Sequence, residues 1–330
     1  MTRAGSSPPQ LPHPGDEDRA LRAAVAYHLE GKTMDAVARE LRVSRATVSR
    51  LLARARETGI VEITVFTPGA RASQLSTELH DRHGVEALVV PLQERIPVEE
   101  RHARTAEAAA DALRQVVTSD GVLAVAWGTM THAISLHLHP KAVTNCSVVQ
   151  VNGMGNSAGI GVHYAHAMMD RFGHAFGARV QENPLPLFLD SAEVAAMLRA
   201  DRLLSGVTQA IETADLFLFN VGTVTGGVPS APHLYGNYLG DAEYDTLRED
   251  GAVADIATTF FDAQGRTDPI RLNAQSTGPD LDALCAVKRR ICVTSGVHKV
   301  EALSAALAGG YITDLIIDEH TAHALLDAER

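Results

Sequence analysis

"LRVSRATVSRLLARAR", residues 41–56, carries five arginines and no acidic residue, in a chain whose net charge is −11. Val48, Leu51 and Leu52 fall on one side of a 3.6-residue spiral, which predicts a helix backed by a small core. Ser44 stands ahead of it as an N-cap. Just upstream, Thr33 can cap a short helix whose Val37, Ala38 and Leu41 share a face. Further upstream, Leu21, Val25 and Leu29 lie at helical spacing before Gly31. Two helices joined by a tight turn, the second of them basic, read as a helix-turn-helix. Gly59 ends the basic helix, and IVEITVF at 60–66 alternates as a strand does.

The charge distribution restricts where DNA can be met. Residues 1–60 hold ten Lys/Arg against seven Asp/Glu, whereas residues 61–330 hold nineteen against thirty-three. An acidic body repels polyanions, so a nucleic-acid contact is confined to the basic helix. Arginines there supply phosphate contacts, and short polar side chains at the helix start reach base edges. The candidates are Arg42, Ser44, Arg45, Thr47, Ser49, Arg50 and Arg54. Arg42 occupies the turn, where many such motifs have glycine. A positive φ at that position strains a non-glycine residue by about 1 kcal/mol.

The remaining composition narrows the class. With 330 residues, 45% hydrophobic and 21% charged, the chain is sized for about two soluble globular domains. No apolar run reaches the roughly 18 residues of a membrane span, and MTRAGSSPPQLPHPGDED lacks a signal-peptide core. Residues 1–15 read instead as a disordered lead-in. Cys146, Cys285 and Cys292 are scattered and odd in number, which fits reduced thiols and a cytoplasmic setting.

From about residue 70 the pattern changes. ASQLSTELHDRHG predicts a connecting helix and VEALVVPL a strand. Apolar runs GVLAVAW, SVVQVNG, DLFLFNVG, RRICVTSG and TDLIIDE then alternate with long helical stretches. Continuous apolar strands between helices predict a doubly wound, mostly parallel α/β domain covered on both faces. The expected organisation is a helix-turn-helix domain at 16–66, a linker helix at 67–84 and an effector domain at 85–330.

A parallel sheet binds its ligand at the C-terminal ends of its strands. Four such ends are rich in glycine or hydroxyls: WGTMT at 127–131, VNGMGNSAG at 151–159, NVGTVTGG at 220–227 and SGVHK at 295–299. A Gly-Thr-x-Thr turn opening a helix offers backbone N–H groups and two hydroxyls to a phosphate. GAVADIATTFFDAQG at 251–265 adds Asp255 and Asp262 beside Phe260 and Phe261, with Asp255 suited to a sugar hydroxyl. The candidate effector residues are Gly128, Thr129, Thr131, Asn152, Gly153, Gly222, Asp255, Phe261, Gly296 and Lys299. The pairs His137/His139, His163/His166 and His320/His323 lack a partner set that completes a metal site, so neither metal nor cofactor is expected. The alternative function, a phosphosugar isomerase or deaminase, needs a tuned carboxylate base. Asp255, Asp262, Asp318 and Glu319 are the candidates, although Asp318-Glu319 reads better as the N-cap of the last helix.

From about 17 to 327 the chain resembles the SorC family of bacterial sugar-responsive transcriptional regulators. The resemblance rests on AVARELRVSRATVSRLLARARETGIVEI, AWGTMT, VVQVNG, GAVADIATTFFDAQG and HKVEALSAALAGGYITDLIIDEHTAHALL. It implies an effector domain like ribose-5-phosphate isomerase or glucosamine-6-phosphate deaminase, without their catalysis. It also implies a sugar, polyol or phosphorylated effector and assembly as a homodimer or homotetramer; a dimer would set two recognition helices about one helical turn apart on a near-palindromic DNA operator. Gly128, Thr129 and Thr131 then look like the phosphate loop, Lys299 like the closing cation and Asp255 like the hydroxyl-binding acid. Two stretches depart from the family pattern: Gly153-Met154 replaces a glycine pair, and Asn220-Val221-Gly222 replaces GIG.

Overall fold

Ser44 and Thr33 each close a helix N-terminus, and between them they define the first unit. In a computed structural model that describes residues 14–61, 69–92, 96–154, 161–224 and 239–329, the chain forms two compact units, Met1–Thr67 and Pro68–Arg330. The first contains α1 (Pro14–Ala24), which runs into a π-helical turn, α2 (Met34–Leu41) and α3 (Arg45–Glu57). Thr33 Oγ1 accepts from Ala36 N at 3.3 Å and Ser44 Oγ from Thr47 N at 3.1 Å. Each hydroxyl thereby satisfies one of the donors that a helix start leaves open.

The core of this unit corrects one expectation. Val37, Ala38, Val48, Leu51 and Leu52 are buried as the spacing predicts. The face that α1 contributes, however, is Ala20, Ala23 and Ala24, while Leu21 is 48% and Leu29 81% exposed. Small side chains let α1 approach α3 closely, and that proximity outweighs the larger area of the leucines. Of the strand expected at 60–66, residues 62–66 lie outside the described residues; Ile60 and Val61 pack on the helical core.

Arg42 takes the left-handed conformation, φ 54° and ψ 45°. Val43 N reaches back to Ala38 O at 3.0 Å, which closes α2 in a Schellman-type turn.

The second unit is built on a seven-stranded parallel sheet. Its strands are β1 (Glu86–Val90), β2 (Val122–Val125), β3 (Ser147–Gln150), β4 (Arg179–Gln181), β5 (Leu216–Phe219), β9 (Arg289–Thr294) and β10 (Asp314–Asp318). They lie in the order β1-β10-β9-β5-β2-β3-β4. A small antiparallel sheet holds β6 (Gly222–Thr223), β7 (Ala252–Ile256) and β8 (Thr259–Asp262). The helices that follow α3 are α4 (Ala70–His83), α5 (Val98–Val116), α6 (Thr129–Leu136), α7 (Gly161–Phe176) and α8 (Ala192–Arg199). Then come α9 (Ser205–Glu212), α10 (Asp241–Glu249), α11 (Leu281–Leu284), α12 (Val300–Ala308) and α13 (Glu319–Ala328).

Both faces of the large sheet are covered, the burial that a parallel sheet requires. On β5, Phe217 and Phe219 face a core shared with α4, α9, α12 and α13, and Leu216 and Leu218 face one shared with α5, α6 and α7. The helix expected as a linker at 67–84 is thus part of this unit: Ala72, Leu75 and Leu79 of α4 are buried in its core.

One element was not anticipated. GAVADIATTFFDAQG forms the β7–β8 hairpin, joined by Ala257 and Thr258 at φ 50° and 71°. Two positive φ values in a two-residue loop make a type I′ turn, usually signalled by Asn-Gly. Asp255 Oδ2 supports this one by accepting from Thr258 N at 3.2 Å.

The strain at Arg42 is open to measurement. Arg42→Gly is expected to stabilise the first unit by about 0.5–1 kcal/mol. Hydrogen exchange of the α2 and α3 amides in the full chain checks this, and slower exchange in the variant is the expected outcome.

Candidate functional site

The helix-turn-helix presents its basic face on α3. Arg42, Ser44, Arg45, Ser49 and Arg50 are exposed, opposite buried Val48, Leu51, Leu52 and Ala55. Ser44 Oγ lies 2.9 Å from Thr47 Oγ1, which also accepts from Arg50 Nη2 at 3.4 Å. This network orders the first turn of the helix. Arg45 sits 3.7 Å from Asp35 of α2, a weak exposed pair that competing phosphates can displace. Thr47 and Arg54 are half-buried, and the Nε of Arg54 is fully enclosed, so Arg54 is held against the fold.

In the second unit the chemistry gathers where chain order reverses. From β2 the chain steps outward to β3 and β4, then returns to β5 on the other side of β2 and continues to β9 and β10. The switch point therefore lies between the C-terminal ends of β2 and β5. Gly128 follows β2 and Asn220 follows β5. A Cβ on Gly128 would stand 2.6 Å from Asn220 Oδ1, so only glycine leaves that amide in place. Thr129 opens α6 and is exposed, next to the N–H groups of the helix start. Thr131 is buried and its hydroxyl donates to Gly128 O at 3.1 Å, where it braces the loop.

Lys299 reaches this edge from the turn after β9. Burial lowers its pKa, while the carboxylate of Asp255 and the thiol of Cys292 oppose that shift. Asp255 pairs in register with Gly222 of β6, which brings β5's continuation and the hairpin to the same place. His102 of α5 and His298 beside Lys299 complete the group. Burial lowers both imidazoles; the Thr129 backbone partly offsets this at His102, and the Lys299 charge adds to it at both. Gly296, at φ 107°, directs its N–H to Thr321 Oγ1 at 2.8 Å and to Asp318 Oδ2 at 3.3 Å.

The structure thus brings together Gly128, Thr129, Gly222, Asp255, Gly296 and Lys299, and it commits three further expected residues to internal contacts. Asn152 is fully buried, accepting from Trp127 N at 2.9 Å and donating to Trp127 O at 3.4 Å, so its amide laces β3 to β2. At Gly153 a Cβ would stand 2.4 Å from Leu185 O and 2.8 Å from Pro186 O; close backbone packing requires this glycine. Phe261 is buried in the sheet core against Tyr311. The rest of the glycine-rich stretches, residues 155–159 and 225–227, lies outside the described residues. A cavity of about 320 Å³ beneath Val151 and Thr277 is lined by none of the ten expected residues.

His102, His298 and Asn220 were missing from the expected set. For His102 the usable signal was topological: a helix that follows a parallel strand begins at the sheet's C-terminal edge.

Two carboxylates proposed as bases are committed elsewhere. Asp318 caps α13 by accepting from Thr321 N at 3.1 Å, and it pairs with Arg101 at 3.0 Å inside the protein. Asp262 has a lowered pKa; burial opposes this, but Arg266 and the backbone N–H groups of Arg266 and Gln264 hold it anionic. Among the described residues no three His, Cys, Asp or Glu side chains converge as a metal site. No described helix is long and apolar enough to cross a membrane.

Residues 68–327 match the family described as "Putative sugar-binding domain", and residues 16–62 match the "Homeodomain-like domain". A DNA-binding head joined to a sugar-binding α/β unit defines a ligand-controlled transcriptional regulator. The chain belongs to this family of sugar-binding, SorC-type regulators. It is 32% identical over 311 residues to the deoxyribonucleoside regulator of Bacillus subtilis (strain 168), covering 93% of this chain and 97% of that protein. It is 29% identical to the transcriptional regulator LsrR of Enterobacter sp. (strain 638), over 94% of this chain and 93% of that one. Among solved structures, a domain of a possible sugar-binding transcriptional regulator from Arthrobacter aurescens TC1 is similar. Its TM-score is 0.73 at 36% identity, covering 79% of this chain and all of that one. The full-length sorbitol operon regulator SorC of Klebsiella pneumoniae shares the fold, with a TM-score of 0.69 at 21% identity over 94% of this chain and 99% of that one. These relatives are regulators, not enzymes.

Two outcomes follow from this geometry. Gly128→Ala is expected to displace Asn220 and weaken effector binding at least tenfold, about 1.4 kcal/mol, as calorimetry would read. His132, its ring tilted against that of Tyr164 with centroids 4.2 Å apart, has its pKa lowered to about 4 by burial and by the Arg171 charge. Between its ordinary value of 6.5 and about 4, the unfolded chain binds a proton that the folded one refuses. Stability from this residue is therefore complete above pH 6.5 and lost as pH falls towards 4. Thermal melts at pH 7 and pH 5 should show a smaller decrease for His132→Phe than for the parent.

Proposed function

We propose that this regulator controls a carbohydrate or polyol catabolic operon and responds to a phosphorylated sugar or polyol. The observation that carries the reading is the half-buried Lys299, whose charge is felt by Asp255, at the same sheet edge as the Gly128–Thr129 helix start. A cation and helix N–H groups suit a phosphate, and a neighbouring carboxylate suits sugar hydroxyls. The effector residues are Gly128, Thr129, Gly222, Asp255, Gly296 and Lys299, joined by Asn220, His102 and His298. Thr131 acts behind them as a loop brace.

Residues 16–66 would engage DNA through Arg42, Ser44, Arg45, Thr47, Ser49 and Arg50, with Arg54 in support. Residues 85–330 would bind the effector, with α4 packed on them. A homodimer or homotetramer would set two α3 helices on a near-palindromic operator. A cytoplasmic setting is supported by three free cysteines.

The test is a thermal-shift screen of the full chain against sugars, polyols and their phosphates. Saturable stabilisation by a phosphorylated compound, absent in Lys299→Ala, is the expected result. Binding of unphosphorylated compounds alone would overturn the phosphate reading and centre the site on Asn220 and Asp255. For the DNA side, Arg45→Ala should weaken specific operator binding by about 1–3 kcal/mol in a titration of labelled duplex. An equal loss on every sequence would assign Arg45 to phosphate contact.

A further inference from the structure

Asp318 and Glu319 are adjacent in sequence yet connect opposite parts of the second unit. Asp318 ends β10 and is fully buried. Its Oδ1 takes Arg101 Nη1 at 3.0 Å and Thr321 N at 3.1 Å. Its Oδ2 takes the Thr321 hydroxyl and, at 3.3 Å, the N–H of Gly296. Gly296 in turn accepts from Lys299 N at 3.0 Å, so the turn that carries the candidate effector cation hangs on Asp318 and Thr321. Glu319 points the other way, with Oε1 3.2 Å from Arg71 Nε. Its side chain is only 16% exposed, so solvent screens the pair less than it would at an open surface.

Arg71 lies in the first turn of α4, four residues past Thr67, the last residue of the DNA-binding unit. The far ends of the same two helices are also tied. Arg82 Nη1 donates to Leu326 O at 3.1 Å, and His83 Nε2 meets Glu329 at 3.1 Å. Starts paired with starts and ends with ends, α4 and α13 run parallel as one body. A shift at the capped start of α13 must then either move the first turn of α4 or break the Arg71–Glu319 pair.

We propose that Asp318 and Glu319 relay the state of the effector turn to the first turn of α4, the first described helix after the DNA-binding unit in the chain. Asp318 senses the Gly296–Lys299 turn, and Glu319 transmits its position to Arg71 at the start of α4. The relay rests on the reading of that turn as part of the effector site. Coupling between two sites needs a physical element that both of them bias, and the α4–α13 pair is such an element.

The test is hydrogen exchange on the full chain, first without any ligand. Thr321→Val removes the hydroxyl that receives the Gly296 N–H while leaving the Asp318 cap and the side-chain volume in place. Exchange is expected to quicken several-fold in 295–300 and also in 69–76. With Glu319→Gln added, 295–300 should stay fast while 69–76 no longer responds to Thr321→Val. The charge-exchanged pair Arg71→Glu with Glu319→Arg should restore the response. An unaltered 69–76 in Thr321→Val, or a response that survives Glu319→Gln, overturns the relay.

A second arm adds inorganic phosphate at millimolar concentration. Protection of both segments in the parent, and of 295–300 alone in Glu319→Gln, is expected. Protection of 69–76 that persists in Glu319→Gln counts against the relay. Failure of phosphate to protect 295–300 counts against the effector-site reading, while the ligand-free arm still decides the relay.

Discussion

A parallel sheet buried on both faces can use polar chemistry only at its ends. That constraint organises the second unit. The five inner strands, β10, β9, β5, β2 and β3, bury most of their side chains against helices on either side, so polar chemistry is pushed to the strand ends. At the C-terminal edge the reversal of strand order between β2 and β5 opens a gap. Gly128, Asn220 and Lys299 meet there because the strands beneath them are neighbours, although they are far apart in sequence. The same edge starts α6, α12 and α13, so helix N-termini point at whatever occupies it.

The acidic charge of this body leaves the basic face of α3 as the place where DNA can be met. A chain of net charge −11 gains little from general polyanion attraction, so its affinity for DNA must come from the few arginines around α3. Arg42 shows the tension involved. It occupies a left-handed turn that glycine would fill without strain, and it places an exposed guanidinium beside the recognition helix. If DNA is met at α3, a phosphate contact from that guanidinium would offset the strain.

The sequence revealed more of the architecture than of the site. Apolar runs such as DLFLFNVG and RRICVTSG lie close to the strands observed, and Thr33, Ser44 and Asp318 cap the helices expected of them. The buried face of α1 was harder to read, because alanines pack as well as leucines where two helices come close. The β7–β8 hairpin was hidden because Ala257 and Thr258 hold a turn usually written with Asn and Gly. Glycine next to a strand end marks close approach at Gly128, to Asn220, and at Gly153, to the Leu185 and Pro186 carbonyls, and the local pattern does not tell the two surroundings apart. Asn152 and Phe261 had suitable chemistry, yet their neighbours were fixed by strand pairing that no local pattern reports. The Arg101–Asp318 pair spans 217 residues and is visible only once the chain has folded.

The central claim is that one chain couples a sugar-type effector at the sheet edge to DNA at α3. The measurement that addresses it most directly is the affinity of the full chain for an operator duplex selected from a random pool. That affinity would be read by fluorescence anisotropy with and without the stabilising phosphorylated compound at saturation. Coupling predicts a change of about 5- to 150-fold in one direction. An identical affinity in both titrations, for a compound that demonstrably binds, would contradict the account.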